Sequence, residues 1–407
     1  MFKLKNIRNL LLLANAVAMV SCANQSECKM GTYGYDASFL EKHGIKYNEL
    51  ISKDGKSKVM VVPAWQGRVV TTSASGDEGD SYGWMNYRFI ESGEVSEQFN
   101  PIGGEERFWL GPEGGPFSLY FKKGQKQVYE NWRVPAVIDT EAFDVTKADA
   151  NQISFTKKTV VKNASETPFQ MQIDRTVSLV TADQVASMFH VQLPEDAKIV
   201  AYKSENKITN LDQKAWTKDG GLVSIWMLGC FNPTPTTTVF IPYNQDAEGT
   251  IVKDDYFGSV PSDRLVAEDG MIYFKIDGKF RAKIGLSAQR QKGICGSYDS
   301  SKNVLTILKC SMPEGNPTYV NGQWGEQDDP FAGDVINSYN DGPIEDGSIM
   351  GPFYEIETSS PGAELNPGES LSHAQTVVHM QADFDSLAKV AKAVFGVDLN
   401  VAMNKFN

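Results

Sequence analysis

The sequence predicts an all-β protein, a large antiparallel β-sandwich. Three observations carry this. Short runs rich in β-branched and aromatic residues recur along the chain, divided by clusters of Gly, Pro, Asn and Asp. In Phe169-Gln170-Met171-Gln172-Ile173-Asp174 apolar and polar residues alternate strictly, the mark of a strand with one buried face. Helical periodicity is scarce and never alternates with strand pattern, which disfavours a parallel α/β sheet.

Taken in order, the expected strands are Lys58 to Val62, Gln152 to Val161, Phe169 to Val180, Ile199 to Tyr202, Thr237 to Ile241, Met271 to Ile276 and Val304 to Lys309. The 35 Gly and 18 Pro supply the many turns such an architecture needs. A short helical piece is expected around Ser38 to His43. A second runs from Asp385 to Phe395, opened by an Asp cap and stopped by Gly396. No repeat and no linker-like break interrupts residues 45–382, so one sandwich domain is expected there, with a C-terminal helix and tail over 383–407.

The N-terminus reads as an export signal. Lys3, Lys5 and Arg8 precede an apolar run from Leu10 to Val20, too short for a membrane span. Met19-Val20-Ser21-Cys22 resembles the lipobox of bacterial lipoproteins, which implies removal of residues 1–21 and diacylation of Cys22. The rival reading is an ordinary secretory signal with an incidental cysteine. Ala23 to Tyr35 is small and polar and reads as a tether, within a short N-terminal segment over 22–44. The expected location is the bacterial cell envelope, on the outer rather than the inner membrane, held by multiple acyl chains.

With 39 basic against 51 acidic residues the net charge is −12, and Lys and Arg are not clustered. This argues against nucleic acid and against an anionic polymer bound by charge alone. Four His and no CxxC spacing argue against structural zinc. Cys295 and Cys310 either pair across a short β connection or sit as buried thiols.

Four segments place rigid turns beside aromatic and polar groups: Pro63 to Ser73, Gly103 to Gly115, Gly333 to Gly342, and Phe353 to Thr358 leading into Ser360 to Ser370. Glu355 and Glu357 project from one face of a strand. Two such carboxylates are costly unless solvated, paired with a cation or poised for proton chemistry. A plain solvent-facing strand surface is the structural alternative. Trp65, Trp109, Arg68, Arg107, Asn337, Asn340 and Asp341 offer flat rings and bidentate groups suited to a sugar's C–H faces and hydroxyls. As structural residues the tryptophans would be core and Asn340-Asp341-Gly342 a tight turn.

In this order, Pro63-Ala64-Trp65-Gln66-Gly67-Arg68, then Gly103-Gly104-Glu105 to Trp109-Leu110-Gly111-Pro112, then Ile356-Glu357-Thr358-Ser359-Ser360-Pro361 and Leu365-Asn366-Pro367-Gly368-Glu369, the chain resembles the galactose mutarotase-like superfamily. More narrowly it is similar to the uncharacterised lipoproteins of that group. The resemblance spans roughly residues 57–382. It implies a β-supersandwich with a carbohydrate-accepting groove, no cofactor, and Glu357 in the place of the catalytic base of aldose 1-epimerases. The family's general acid is a His in a mid-chain Asn-His-x-Tyr-Phe-Asn context, which this chain lacks. His43, His190, His373 and His379 all stand outside such a context, so the acid role passes to Lys283 or Tyr339.

The expected function is carbohydrate binding or processing at the envelope. Turnover would be epimerase-like or lyase-like, with hydrolysis ranked lower because the two carboxylates share a face. The alternative is a non-catalytic accessory lipoprotein contacting another envelope protein. Asp334, Asp341, Glu355 and Glu357 offer oxygen ligands but no recognisable calcium loop, so no metal is expected.

Overall fold

The computed structural model describes residues 28–406. The expected signal and Cys22 lie outside them. Two antiparallel sheets form the body. The larger runs, edge to edge, through Leu265–Glu268, Met271–Ile276, Thr237–Pro242, Ile294–Asp299, Val304–Cys310, Ser370–Gln381, Lys198–Asn210, Pro168–Leu179, Gln152–Lys162 and Asp144–Ala148. The smaller runs through Ala282–Ser287, Asp334–Asn340, Tyr354–Ser359, Ser224–Phe231 and Arg107–Gly111. Their facing sides share one apolar core, with Phe155, Ile173, Val200 and Ile208 from the larger sheet and Phe108, Met227, Ile336 and Ile356 from the smaller. This is an antiparallel supersandwich, the architecture the sequence predicts.

Pattern and burial agree where alternation is strong. Phe169, Met171 and Ile173 are buried while Gln170 faces water. Met271–Ile276 spans the expected residues. The strand expected at Ile199 to Tyr202 runs on to Asn210, because Ser204, Asn206 and Ile208 are buried between the exposed or half-buried Lys203, Glu205 and Lys207. Its polar inward residues hide that continuation from a hydrophobicity reading.

A three-stranded sheet, Asn48–Ile51, Lys58–Val62 and Arg68–Ser73, carries the helix Tyr33–Lys42. Tyr33 and Leu40 pack there with Met60, Val62 and Val70. Thr32 caps the helix, and buried Asp36 accepts hydrogen bonds from Ser81 and Tyr87. The end of the expected tether therefore belongs to the packed body: Tyr33 is fully buried. At the other end the helix Phe384–Phe395 is capped by Asp383 and closed by Gly396 at φ 77°. Its Leu387, Val390 and Phe395 cover the outer face of the larger sheet against Phe240, Leu305 and Val378. Cys230, Cys295 and Cys310 are buried free thiols.

Among the described residues no helix is long and apolar enough to cross a membrane, and no group of His, Cys, Asp and Glu is placed to hold a metal ion.

Candidate functional site

The outer face of the smaller sheet gathers the chemistry. Its register sets Lys283 opposite Tyr339, Tyr339 opposite Glu355, and Asn337 opposite Glu357. On the far side, Glu357 lies opposite Leu228, Arg107 also opposite Leu228, and Trp109 opposite Trp226. Because successive side chains alternate, all of these share one face while Ile356, Met227 and Phe108 point into the sandwich.

The two glutamates are not a solvated surface. Glu357 is 0% exposed and Glu355 8%. Arg107 and Glu355 form a close ion pair, and the Arg107 guanidinium lies 5.2 Å from the Trp109 ring. Lys283 Nζ donates to Glu357 Oε2 at 2.9 Å, and the Trp226 indole N–H donates to the same oxygen at 2.9 Å. Glu357 Oε1 is buried without a hydrogen-bond partner. The Lys283 ammonium also sits 5.0 Å from the Trp226 ring and 5.5 Å from that of Tyr256.

A shallow cleft open to solvent, with a cavity volume of about 40 Å³, lies over this face. Glu113, Trp226, Tyr256, Lys283, Asp334 and Asn337 line it, with Ser224 and Ser359. Glu357 lies beneath the lining rather than in it. Glu113 reaches the cleft on the turn after Arg107–Gly111. Gly114 lets that turn press on the neighbouring loop, since a Cβ there would stand 2.3 Å from the Gln323 carbonyl oxygen. Tyr256 donates to Asp334 and accepts from Asn337 Nδ2 at 3.2 Å.

Burial and mutual charge set the protonation states. Burial pushes the Glu113 carboxyl up to about 7, with Lys283 pulling it down and Glu357 pushing it further up. Burial likewise raises Glu355 to about 7 against the pull of Arg107. Burial works against the Lys283 ammonium, but Glu357, Glu113 and Glu355 outweigh it and hold its pKa above the ordinary lysine value. Burial raises Asp334 as well.

The structure thus brings together Glu355, Glu357, Arg107, Trp109, Lys283, Asn337 and Tyr339. Asp341 joins them at the end of the face, accepting from the Tyr339 hydroxyl at 2.9 Å and from the Gly351 N–H at 2.7 Å. Three sequence-predicted residues lie elsewhere. Asn340 points to the other side and staples the turn before Ala282, accepting from the Gly278 N–H at 2.9 Å and donating to the Phe280 carbonyl at 2.9 Å. Arg68 is buried, donating to the Gly103 carbonyl at 2.8 Å and to Gln66 Oε1 at 3.2 Å. Trp65 ends the short turn Pro63–Trp65 and packs on the N-terminal cluster around Tyr33. The sequence missed Glu113, Trp226 and Tyr256 as cleft residues. Glu113 stood within a segment already singled out, whereas Tyr256 carries no local signal.

No histidine lines the cleft. His373 and His379 are buried within the sandwich, His373 Nε2 2.8 Å from Thr358 Oγ1 and His379 Nε2 3.0 Å from Glu105 Oε1. His190 closes the helix Ala182–Phe189.

Two antiparallel sheets sharing one core, with a polar and aromatic cleft on the outer face of the smaller, define the class: an antiparallel β-supersandwich. The chain belongs to the family of unknown function DUF6786, whose model matches residues 31–406. Among solved structures it is similar to the Slr1438 protein from Synechocystis, at 13% identity and a TM-score of 0.51, covering 83% of this chain and 96% of that one. A galactose mutarotase-like protein from Lactobacillus casei aligns at 12% identity and TM-score 0.47, covering 82% and 100%. A galactose mutarotase related enzyme from Lactobacillus acidophilus aligns at 9% and 0.46, covering 82% and 97%. At such identities the likeness is one of fold. A search of curated proteins by sequence returned no match.

Proposed function

We propose that the cleft above Lys283 is a carbohydrate site, and that the protein is a lipid-anchored carbohydrate-binding protein of the bacterial envelope able to move a proton on its ligand. The supporting observation is the composition of one solvent-open space: a carboxyl near neutrality on Glu113, the Lys283 ammonium, the Asn337 amide and the rings of Trp226 and Tyr256. Sugars are bound by such mixtures of aromatic faces and convergent hydrogen-bonding groups. The order of the mutarotase-like motifs supports the same reading, and the Cys22 lipobox supports export and anchoring.

The test is a thermal-shift panel of mono- and oligosaccharides on the chain beginning after Cys22, beside Lys283→Met. Selective binding to the folded state raises the melting temperature. A sugar that stabilises the wild type and not the variant is the expected result. Absence of any shift at millimolar ligand favours the accessory reading. That reading would rest on the exposed Ile344, Ile349 and Met350 of the loop between Asp334–Asn340 and Tyr354–Ser359.

A further inference from the structure

The motif-matched carboxylate of Glu357 does not meet the cleft. It is fully buried, and the groups that roof it, Lys283 Nζ and the Trp226 indole, both bind the same oxygen at 2.9 Å. The cleft itself presents Lys283 and Glu113. We propose that Lys283 and Glu113 are the ligand-facing pair, that Glu357 is a positioning residue beneath Lys283, and that the pair selects uncharged sugars over sugars bearing a carboxylate.

The chemistry follows from donor and acceptor inventories. Lys283 has three N–H donors and commits one to Glu357. The others are directed by that anchor, which also fixes the ammonium against Trp226 and Tyr256. A sugar hydroxyl that accepts from Lys283 still has its own hydrogen to give, and the Glu113 carboxyl is the acceptor in the same space. A hydroxyl and its neighbour on one ring therefore satisfy both protein groups.

Charge supplies the selectivity. The positive charge of Lys283 is matched by Glu357 and that of Arg107 by Glu355. Among the described residues, Glu113 and Asp334 line the cleft without an ion-pair partner, and Lys253, outside the lining at 5.1 Å from the Tyr256 ring, faces Asp334, so the lining itself holds no unmatched cation for an anionic ligand. A ligand carboxylate would meet like charge instead. The groups that face Lys283 are Glu357, Glu113, Glu355 and Asp334 by charge, and Trp226 and Tyr256 by their rings.

The inference rests on the carbohydrate reading, and the experiment separates the two. Calorimetric titrations with galactose and galacturonate are made on the wild type, Glu113→Gln and Glu357→Gln, each first checked for native circular dichroism and ligand-free melting. Galactose is expected to bind the wild type at least tenfold more tightly than galacturonate at pH 8. Glu113→Gln should weaken galactose and shrink that ratio at least threefold. Glu357→Gln should retain binding at pH 6 but lose it at lower alkaline pH than the wild type, because Lys283 is deprived of its counter-charge. Two results would overturn the pair while leaving the carbohydrate reading standing: preference for galacturonate in the wild type, or loss of galactose binding at every pH in Glu357→Gln with Glu113→Gln unaffected. Absence of binding of both sugars, with no shift across the wider panel, would overturn both.

Discussion

At the scale of single residues, the cleft is a set of groups whose protonation depends on one another. Glu113 shows the consequence for stability. Its folded-state pKa, about 7, lies above the ordinary value of 4.5, so ionisation is disfavoured in the folded protein. Its contribution is complete below that ordinary value and is lost as pH rises through the folded one. Glu113→Gln keeps the shape without the ionisation. Relative to the wild type, it is expected to gain stability between pH 5 and pH 8, by about 2 kcal/mol. Urea denaturation at the two pH values measures this, and an unchanged difference would contradict it. His373 titrates with the opposite sense, since burial depresses its imidazole to about 4 and stability is lost as pH falls from its ordinary 6.5. The comparison must therefore be made against the wild type at each pH. Residue identity made Glu355 and Glu357 legible in the sequence, because alternation alone places them on one face. It did not show which faces water. That depends on Trp226, from the strand paired to theirs, and on Lys283, from a strand two places away in the same sheet.

At the scale of elements, the strands that hold the cleft are tied to the larger sheet by buried polar groups. Arg175 and Glu106 pair at 2.7 Å, both fully buried. Arg175 also donates to the Gly67 carbonyl at 3.0 Å and to Asn206 Oδ1 at 2.6 Å, and Glu106 accepts from Ser204 at 3.0 Å and Gln375 at 2.9 Å. Gln375 Oε1 in turn accepts from Thr358, the residue next to Glu357, at 2.7 Å. Removing one partner of such a pair leaves an uncompensated buried charge. Glu106→Ala is expected to cost about 3–5 kcal/mol, read from the shift in a urea transition, and a loss below about 1 kcal/mol would show the pair to be replaceable by water. These polar seams explain part of what escaped the sequence; Ser224–Phe231, buried on both faces and mostly apolar, escaped because it has no alternation. Lys198–Asn210 presents Ser204 and Asn206 inward, and Ala182–Phe189 is an eight-residue helix that buries Val185 and is opened by the Thr181–Gln184 capping box. Met271–Ile276, whose Ile272, Phe274 and Ile276 face the core, was plain.

At the scale of the whole molecule, two coverings complete the sandwich. The N-terminal helix and three-stranded sheet form one, and the C-terminal helices close the outer face of the larger sheet. Phe395 packs edge-on to Phe240 at 4.9 Å between centroids. Phe395→Ala is expected to destabilise the protein by about 3–5 kcal/mol through the cavity it leaves, while affinity for any cleft ligand stays within twofold because that helix packs on the other sheet. A melt and a titration of the same variant test both halves. Fold class was legible because alternation and turns recur throughout. The cleft was legible only in part, since its lining is drawn from seven segments of the chain and one, around Tyr256, has no strand pattern to mark it.

That dispersal has a consequence for how the protein comes into being. The ion pair of Arg107 with Glu355 joins residues 248 positions apart, and the strand bearing Glu357 lies between Asp334–Asn340 and Ser224–Phe231. Such non-local closure makes folding slow, because much chain entropy is surrendered before any contact rewards it. During synthesis no partial chain ending before Ser359 can contain the cleft. Ligand capture is therefore a property of finished molecules alone, and recovery of binding after dilution from denaturant should trail the growth of β-sheet signal.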